Sequence, residues 1–254
     1  MLEARPNNAG LIKKIVTCIN ELVSEANLDV TESGISLQAM DSSHIALVSL
    51  LLSKEGFDPY RCDRGFTLGV NLASLSRILS CAGDEDAITF TCDDTADVMN
   101  LKFESRDGNK VSEYELKLMD IDQEHLAIPN QEYPCVVSLP SIKIFVTKGG
   151  IKFSTSGETT KGNVTLKSTV SEDNEIISLN VKKPVENEFA LKCLLQFSKS
   201  QKLSDHVTLY LANDLPAMVE YNLEAAGYVK YFLAPKLNEG GDGDEEQAVD
   251  EDED

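Results

Sequence analysis

The feature that most constrains this chain is that it states one theme twice. Gly34-Ile35-Ser36-Leu37 returns as Gly150-Ile151-Lys152-Phe153, and Asp86-Ala87-Ile88-Thr89-Phe90 returns as Asp205-His206-Val207-Thr208-Leu209. Phe66-Thr67-Leu68, with the apolar residues after it, returns as Phe189-Ala190-Leu191, Leu194 and Leu195. A repeat on this scale predicts two similar units, each with an apolar face to bury. Between them lie residues 119–133, which are rich in acids, lack strand alternation and a helical stripe, and contain the helix breaker Pro129. Yet Ile121, Leu126, Ile128 and Tyr133 are more apolar than a solvated linker needs. The stretch reads as an ordinary interdomain loop or as a connector laid across the surface; the flanking repeat favours the connector.

Within the first copy, Leu11, Ile12, Ile15, Val16, Ile19, Leu22 and Val23 recur at helical spacing, predicting an amphipathic helix over about 9–25. Asn71 is placed to cap a second short helix with Leu72, Leu75, Ile78 and Leu79 inward. The remaining apolar residues alternate as strands: Ile88, Phe90 and Cys92; Met99, Leu101 and Phe103; Tyr114, Leu116 and Leu118. Ile45 to Leu52 is apolar on both faces, which predicts an inner strand. Asp93-Asp94 and Asp107-Gly108-Asn109 supply turns. The predicted class is α+β: two similar sheet-plus-helix domains. The second copy has a gap. About 30 residues separate Glu3 from Gly34, but only about 12 separate Val137 from Gly150, and Ser141 to Thr147 alternates as a strand. The first helix of the second domain is therefore expected to be missing.

Charge adds a boundary. The 254 residues carry a net charge of -20, but residues 239–254 hold ten acids and no base. Such a tail lacks the apolar groups to fold. The expected division is 1–118 for the first domain, 119–133 for the connector, 134–238 for a second domain shortened near 141–148, and 239–254 for an acidic, disordered tail. Cys18, Cys62, Cys81, Cys92, Cys135 and Cys193 form no C-x-x-C pair and lie in or near apolar runs, as buried free thiols of a reducing compartment would. No signal peptide and no apolar run of about 20 residues is present, so a soluble, intracellular chain is expected. Gly157 to Gly162 has the outer spacing of a phosphate loop, but Asn163-Val164 stands where Lys and Ser/Thr are required. No nucleophile–base signature surrounds any serine or cysteine. Catalysis, metal and cofactor are all expected to be absent.

Several motifs are jointly specific: Leu37-Gln38-Ala39-Met40-Asp41-Ser42-Ser43-His44, Glu55-Gly56-Phe57-Asp58, Tyr60-Arg61-Cys62-Asp63-Arg64, Gly69-Val70-Asn71-Leu72, Lys117-Leu118-Met119-Asp120, Ile128-Pro129, Gln131-Glu132-Tyr133 and Leu233-Ala234-Pro235-Lys236. In these the chain resembles the proliferating cell nuclear antigen family, the eukaryotic DNA sliding clamps, along nearly its whole length. The resemblance implies a nuclear, homotrimeric ring that encircles duplex DNA without reading its sequence. It would act as a processivity factor for replicative DNA polymerase and as a platform for replication and repair proteins. Lys13, Lys14, Arg77, Lys192 and Lys199 would face the DNA, although each taken alone reads more readily as a solvated surface charge. Family positions that are often basic are here Asn20 and Ser80.

Partners such as polymerase, clamp loader, ligase and nuclease would plug a short peptide, with a glutamine, an aliphatic residue and two aromatics, into an apolar pocket. The resemblance assigns that pocket to Met40, His44, Ile45, Leu47, Leu126, Ile128, Pro216, Phe232, Ala234 and Pro235. Core packing is the other reading of Met40, Ile45 and Leu47. Tyr114 and Leu116 would meet Asn163, Val164 and Leu166 of a neighbouring subunit, closing sheet edges between subunits. Lys148 matches a lysine that relatives join to ubiquitin or a related modifier. The gap leaves two alternatives: a genuine shortened clamp, or a form lacking a coding segment through splicing or gene-model error, which is favoured. A damage-signalling clamp paralogue and an acidic scaffold that never encircles DNA are the other rivals.

Overall fold

The computed structural model describes residues 1–93, 95–122, 135–140, 151–156, 161–166, 178–181, 185–213 and 215–236. The chain opens with β1 (Leu2–Pro6) and α1 (Ala9–Asn20), then β2 (Glu25–Thr31), β3 (Gly34–Met40), β4 (Ala46–Ser53), β5 (Phe57–Cys62) and β6 (Phe66–Asn71). α2 (Leu72–Leu79), β7 (Ala87–Cys92), β8 (Val98–Glu104) and β9 (Val111–Lys117) complete the first half. The second half contributes β10 (Cys135–Pro140), β11 (Ile151–Ser156), β12 (Lys161–Leu166), β13 (Ser178–Val181), α3 (Leu191–Ser198), β14 (His206–Leu211), β15 (Ala217–Asn222) and β16 (Gly227–Leu233).

The helices follow their sequence logic. The Asn8 side-chain oxygen accepts the Leu11 N–H at 2.9 Å and starts α1, whose Ile12, Ile15, Val16 and Ile19 are buried at the i, i+3, i+4, i+7 positions of one face. Asn71 does the same for Ser74 at 2.9 Å, and α2 buries Leu72, Leu75 and Leu79. α1 ends at Asn20, short of the predicted residue 25, because Leu22 and Val23 both bond back to the Ile19 carbonyl and the chain turns into β2. They still contribute apolar surface, Val23 at 7% exposure, but from a turn.

Sheet pairing goes beyond the repeat. A five-stranded antiparallel sheet runs β5-β1-β7-β8-β9, all from the first half. A nine-stranded sheet runs β13-β10-β14-β15-β16-β4-β3-β2-β6 and fuses the two halves, since β4 pairs with β16 from Ala46↔Leu233 to Leu52↔Gly227. β4 is thus the inner strand that its two-faced apolar pattern predicts. β11 and β12 form a separate pair. One echo fails: residues 185–190 form no strand, although their counterpart in the first half includes β6.

Side-chain alternation sorts the nine-stranded sheet into two faces. Leu37 and Ala39, Val48 and Leu50, Val219 and Tyr221, and Val229, Tyr231 and Leu233 point into the main core with the helices. At the junction of the halves, the Ser200 hydroxyl, fully buried, bonds the Tyr231 hydroxyl at 2.7 Å, and the Tyr221 hydroxyl donates to the Phe197 carbonyl. Phe197 stacks on Tyr231 at 4.6 Å. Burial pushes the hydroxyls of Tyr221 and Tyr231 well above the ordinary phenol range. Gln196 donates to the Glu21 carbonyl, so α3 is tied to the C-terminal end of α1.

Among the described residues the first half carries two α-helices, packed on one another, and the second carries one. Leu191 and Leu195, one turn apart on α3, are 56% and 59% exposed. The segment around 141–148, where the missing helix is expected, lies outside the described residues. The cysteine expectation is met in part: Cys18, Cys92 and Cys193 are buried free thiols, whereas Cys62 is half-buried and Cys81 exposed, because both sit at element ends.

Candidate functional site

The outer face of the nine-stranded sheet carries a second apolar cluster, separate from the main core. Leu47, Met218 and Phe232 are its buried members, at 8%, 9% and 9% exposure, and Met40 and Tyr210 pack against them. Its origin is register. Met40 sits opposite Leu47, Leu47 opposite Phe232, Phe232 opposite Met218, and Met218 opposite Tyr210. Directly opposed residues share a face, so five neighbouring strands lay one apolar row across the sheet, roughly 19 Å long at about 4.8 Å per strand. Two residues along, Ile45, Ala234 and Pro216 begin a second row, and the Ala234 N–H donates to the Ile45 carbonyl at 3.0 Å. On the other side the same registers align Gln38, Ser49, Lys230, Glu220 and Thr208, a polar row.

The loop 41–45 shapes one end of the band. The Asp41 carboxylate accepts the N–H groups of Ile45 at 2.9 Å, Ala46 at 2.7 Å and Ser43 at 3.2 Å, together with the Ser43 hydroxyl. Burial alone would raise this carboxyl, but those hydrogen bonds outweigh it and hold Asp41 below the usual carboxylate range. The loop keeps His44 in the left-handed region at φ 56° and leaves Ile45 43% exposed. His44 and Pro216 are exposed, while Ala234 and Pro235 are half-buried.

The structure thus brings Met40, His44, Ile45, Leu47, Pro216, Phe232, Ala234 and Pro235 together at one end of the outer face. Leu126 and Ile128 lie outside the described residues. Met218 and Tyr210 complete the row and were not anticipated. Alternation places Met218 on the same face as Pro216, but which strand lies beside β15 is not written in the local pattern.

The five basic candidates divide. Lys14, Arg77 and Lys192 are exposed on α1, α2 and α3. Lys13 is already engaged: its ammonium donates to the Ala82 carbonyl at 2.7 Å and pairs with Asp84 at 2.8 Å, and this contact holds the Asp84 carboxyl below its ordinary range. Lys199 pairs with Glu21 across the two halves.

For the subunit edge, β9 pairs with β8 alone among the described residues, leaving its other backbone edge open, with Val111 54% exposed. Leu116 corrects the expectation that its side chain faces a neighbour: it is 4% exposed, opposite Met99, inside the chain's own core. Tyr114 is half-buried, with its ring 5.2 Å from Phe103. Asn163, Val164 and Leu166 lie on β12, which pairs with β11, and only the backbone there is described. Lys148 lies outside the described residues. Among the described residues no group of three or more His, Cys, Asp or Glu side chains could hold a metal ion.

Two family models match the chain in succession. The one described as proliferating cell nuclear antigen, N-terminal domain, matches residues 1–125; the one described as its C-terminal domain matches residues 127–236. The proliferating cell nuclear antigen of Chaetomium thermophilum is 45% identical over 257 residues, spanning 94% of this chain and 99% of that relative. Since 94% of 254 residues is about 239, the alignment takes in residues of the relative that have no counterpart here. With two clamp domains of antiparallel sheet and helix, and with this identity along almost its full length, the chain belongs to the proliferating cell nuclear antigen family: a non-enzymatic DNA sliding clamp of replication and repair, and a processivity factor for DNA polymerase.

Proposed function

We propose that this clamp works in the nucleus as a homotrimeric ring around duplex DNA, and that its outer-face band receives short peptides of DNA polymerase, clamp loader, ligase and nuclease. The single observation that carries the peptide site is the apolar cluster of Leu47, Met218 and Phe232, outside the main core and rimmed by the exposed Ile45 and His44. A contiguous apolar patch with a polar border is what a partner anchor requires. The stretch 119–133 serves as the connector between the halves: Asn27 bonds the Ile121 carbonyl beside β6, while the second half begins with β10 at the other side of the same sheet. Lys14, Arg77 and Lys192 supply sequence-independent attraction to phosphates, and Lys148 is the modification site. The open edge of β9 supports ring closure against β12 of a neighbouring copy.

The test is fluorescence anisotropy with a labelled peptide bearing a glutamine, an aliphatic residue and two aromatics. Wild type should bind. Ile45→Asp, at an exposed position, should weaken binding by about 30-fold or more, the scale of a lost anchor at about 2 kcal/mol. Absence of binding to wild type would overturn the peptide-site reading. A second reading, that this shortened form does not close a ring, is favoured by the exposed Leu191 and Leu195 of α3. Light scattering decides it: the proposal requires three times 27.8 kDa.

A further inference from the structure

We infer that the peptide band continues past the predicted pocket onto Met218 and Tyr210, where it takes one additional aromatic side chain of the partner, and that these two residues set partner preference. This inference rests on the peptide-binding role proposed above. The pocket expected from sequence stops at Phe232 on β16. The apolar row does not: it proceeds without a polar break to Met218 on β15 and Tyr210 on β14. Both belong to the same cluster as Leu47 and Phe232, so the extension is continuous with the pocket.

The far end of the row is built to hold an aromatic ring in place. Burial and the neighbouring Glu220 carboxylate push the Tyr210 phenol up to about 12, which keeps it uncharged. Glu220 lies 3.8 Å from the Lys230 ammonium, which sits 4.2 Å from the centroid of the Tyr228 ring. Glu220 and Lys230 compensate one another within the polar row, leaving the apolar row without a competing charge. A methionine beside a tyrosine suits an aromatic ligand: the thioether adapts to the ring, and sulfur–aromatic and ring–ring contacts add to simple burial. From Phe232 to Tyr210 is two strand steps, about 10 Å, which an extended peptide covers in about three residues. The partner is therefore a peptide carrying an aromatic residue about three positions beyond the residue seated on Leu47 and Phe232.

Three labelled peptides test this: the core motif alone, and the core extended by three residues ending in Phe at either terminus. Anisotropy titrations against wild type should show one extended peptide binding about 10-fold more tightly than the core, about 1.4 kcal/mol. Tyr210→Ala should abolish that advantage while leaving the core peptide within about two-fold of its wild-type affinity, and Met218→Ser should abolish it too; Tyr210→Phe, which keeps the ring, should retain it. If the core peptide binds but neither extension adds affinity, the inference fails and the peptide site stands. It also fails if the substitutions lower stability without touching the extension's advantage, because the row is then covered by this chain's own residues 123–134, or if they change the mass in solution, because a second copy then covers it. If no peptide binds wild type, the proposed peptide site fails first and this inference with it.

Discussion

Removing the Ser200 hydroxyl should loosen the core of the second half, where it packs beside α1. Ser200 is fully buried, follows α3, and bonds Tyr231 on β16 at 2.7 Å, next to Lys199, whose carbonyl receives the Cys18 thiol of α1. Ser200→Ala deletes one hydrogen bond and strands the hydroxyl of Tyr231, a residue 1% exposed. A buried group left unsatisfied costs about 1–3 kcal/mol. Tyr231→Phe should cost a similar amount, because it leaves the buried Ser200 hydroxyl without its Tyr231 partner in turn. The double variant leaves no hydroxyl stranded, so the two losses should fall short of additive by about 1 kcal/mol. Urea unfolding followed by circular dichroism measures all three against wild type. Strict additivity would refute the claim that the two hydroxyls satisfy one another, and a Ser200→Ala variant as stable as wild type would refute the burial argument.

Other positions give independent tests. Gly69→Ala would bring a Cβ to 1.9 Å from the Met119 carbonyl oxygen, which cannot be accommodated without moving the start of the connector; overpacking of this kind costs about 1–3 kcal/mol, and faster amide exchange at Met119, whose N–H now bonds Gly69, would report it. Asp41→Ala should free the 41–45 loop and weaken peptide binding by about 10-fold, measured by anisotropy, because Ile45 loses its positioning bonds. Because the Asp41 carboxyl is held below its ordinary range, that ordering is complete above the usual carboxylate pKa and is lost as pH falls through the lower folded value; binding that stays constant in wild type on acidification would contradict this. Tyr221 and Tyr231 have raised folded values, so the stability they contribute is complete below about pH 10 and declines as pH rises beyond it. Tyrosinate absorbance should therefore show two residues titrating only as the fold is lost.

Local chemistry reached a long way in this chain. The cap at Asn71 was legible because a side-chain oxygen three residues before a free N–H is enough to start a helix; the same geometry at Asn8 came from the structure. The strands β7, β8 and β9 follow directly from alternation, and β4 from an apolar run on both faces. The end of α1 was not legible, since Leu22 and Val23 keep the apolar spacing of a helix while sitting in a turn. Lys13 and Lys199 read as free surface charges until Asp84 and Glu21, far away in sequence, are seen beside them. Tyr114 and Leu116 carry the same strand signature, yet Leu116 is sealed in the core.

By itself the sequence determined the family, the two-domain α+β class, the positions of the first two helices and most strands, and one end of the candidate peptide band. Each depends on residues close together in the chain, or on motifs specific enough to stand alone. The tertiary structure decided that β4 and β16 fuse the halves into one sheet, that Met218 and Tyr210 prolong the apolar row, and which lysines are already paired. The physical reason is register. Alternation says which face a side chain takes, but only the pairing of distant strands says which side chains lie next to one another on that face.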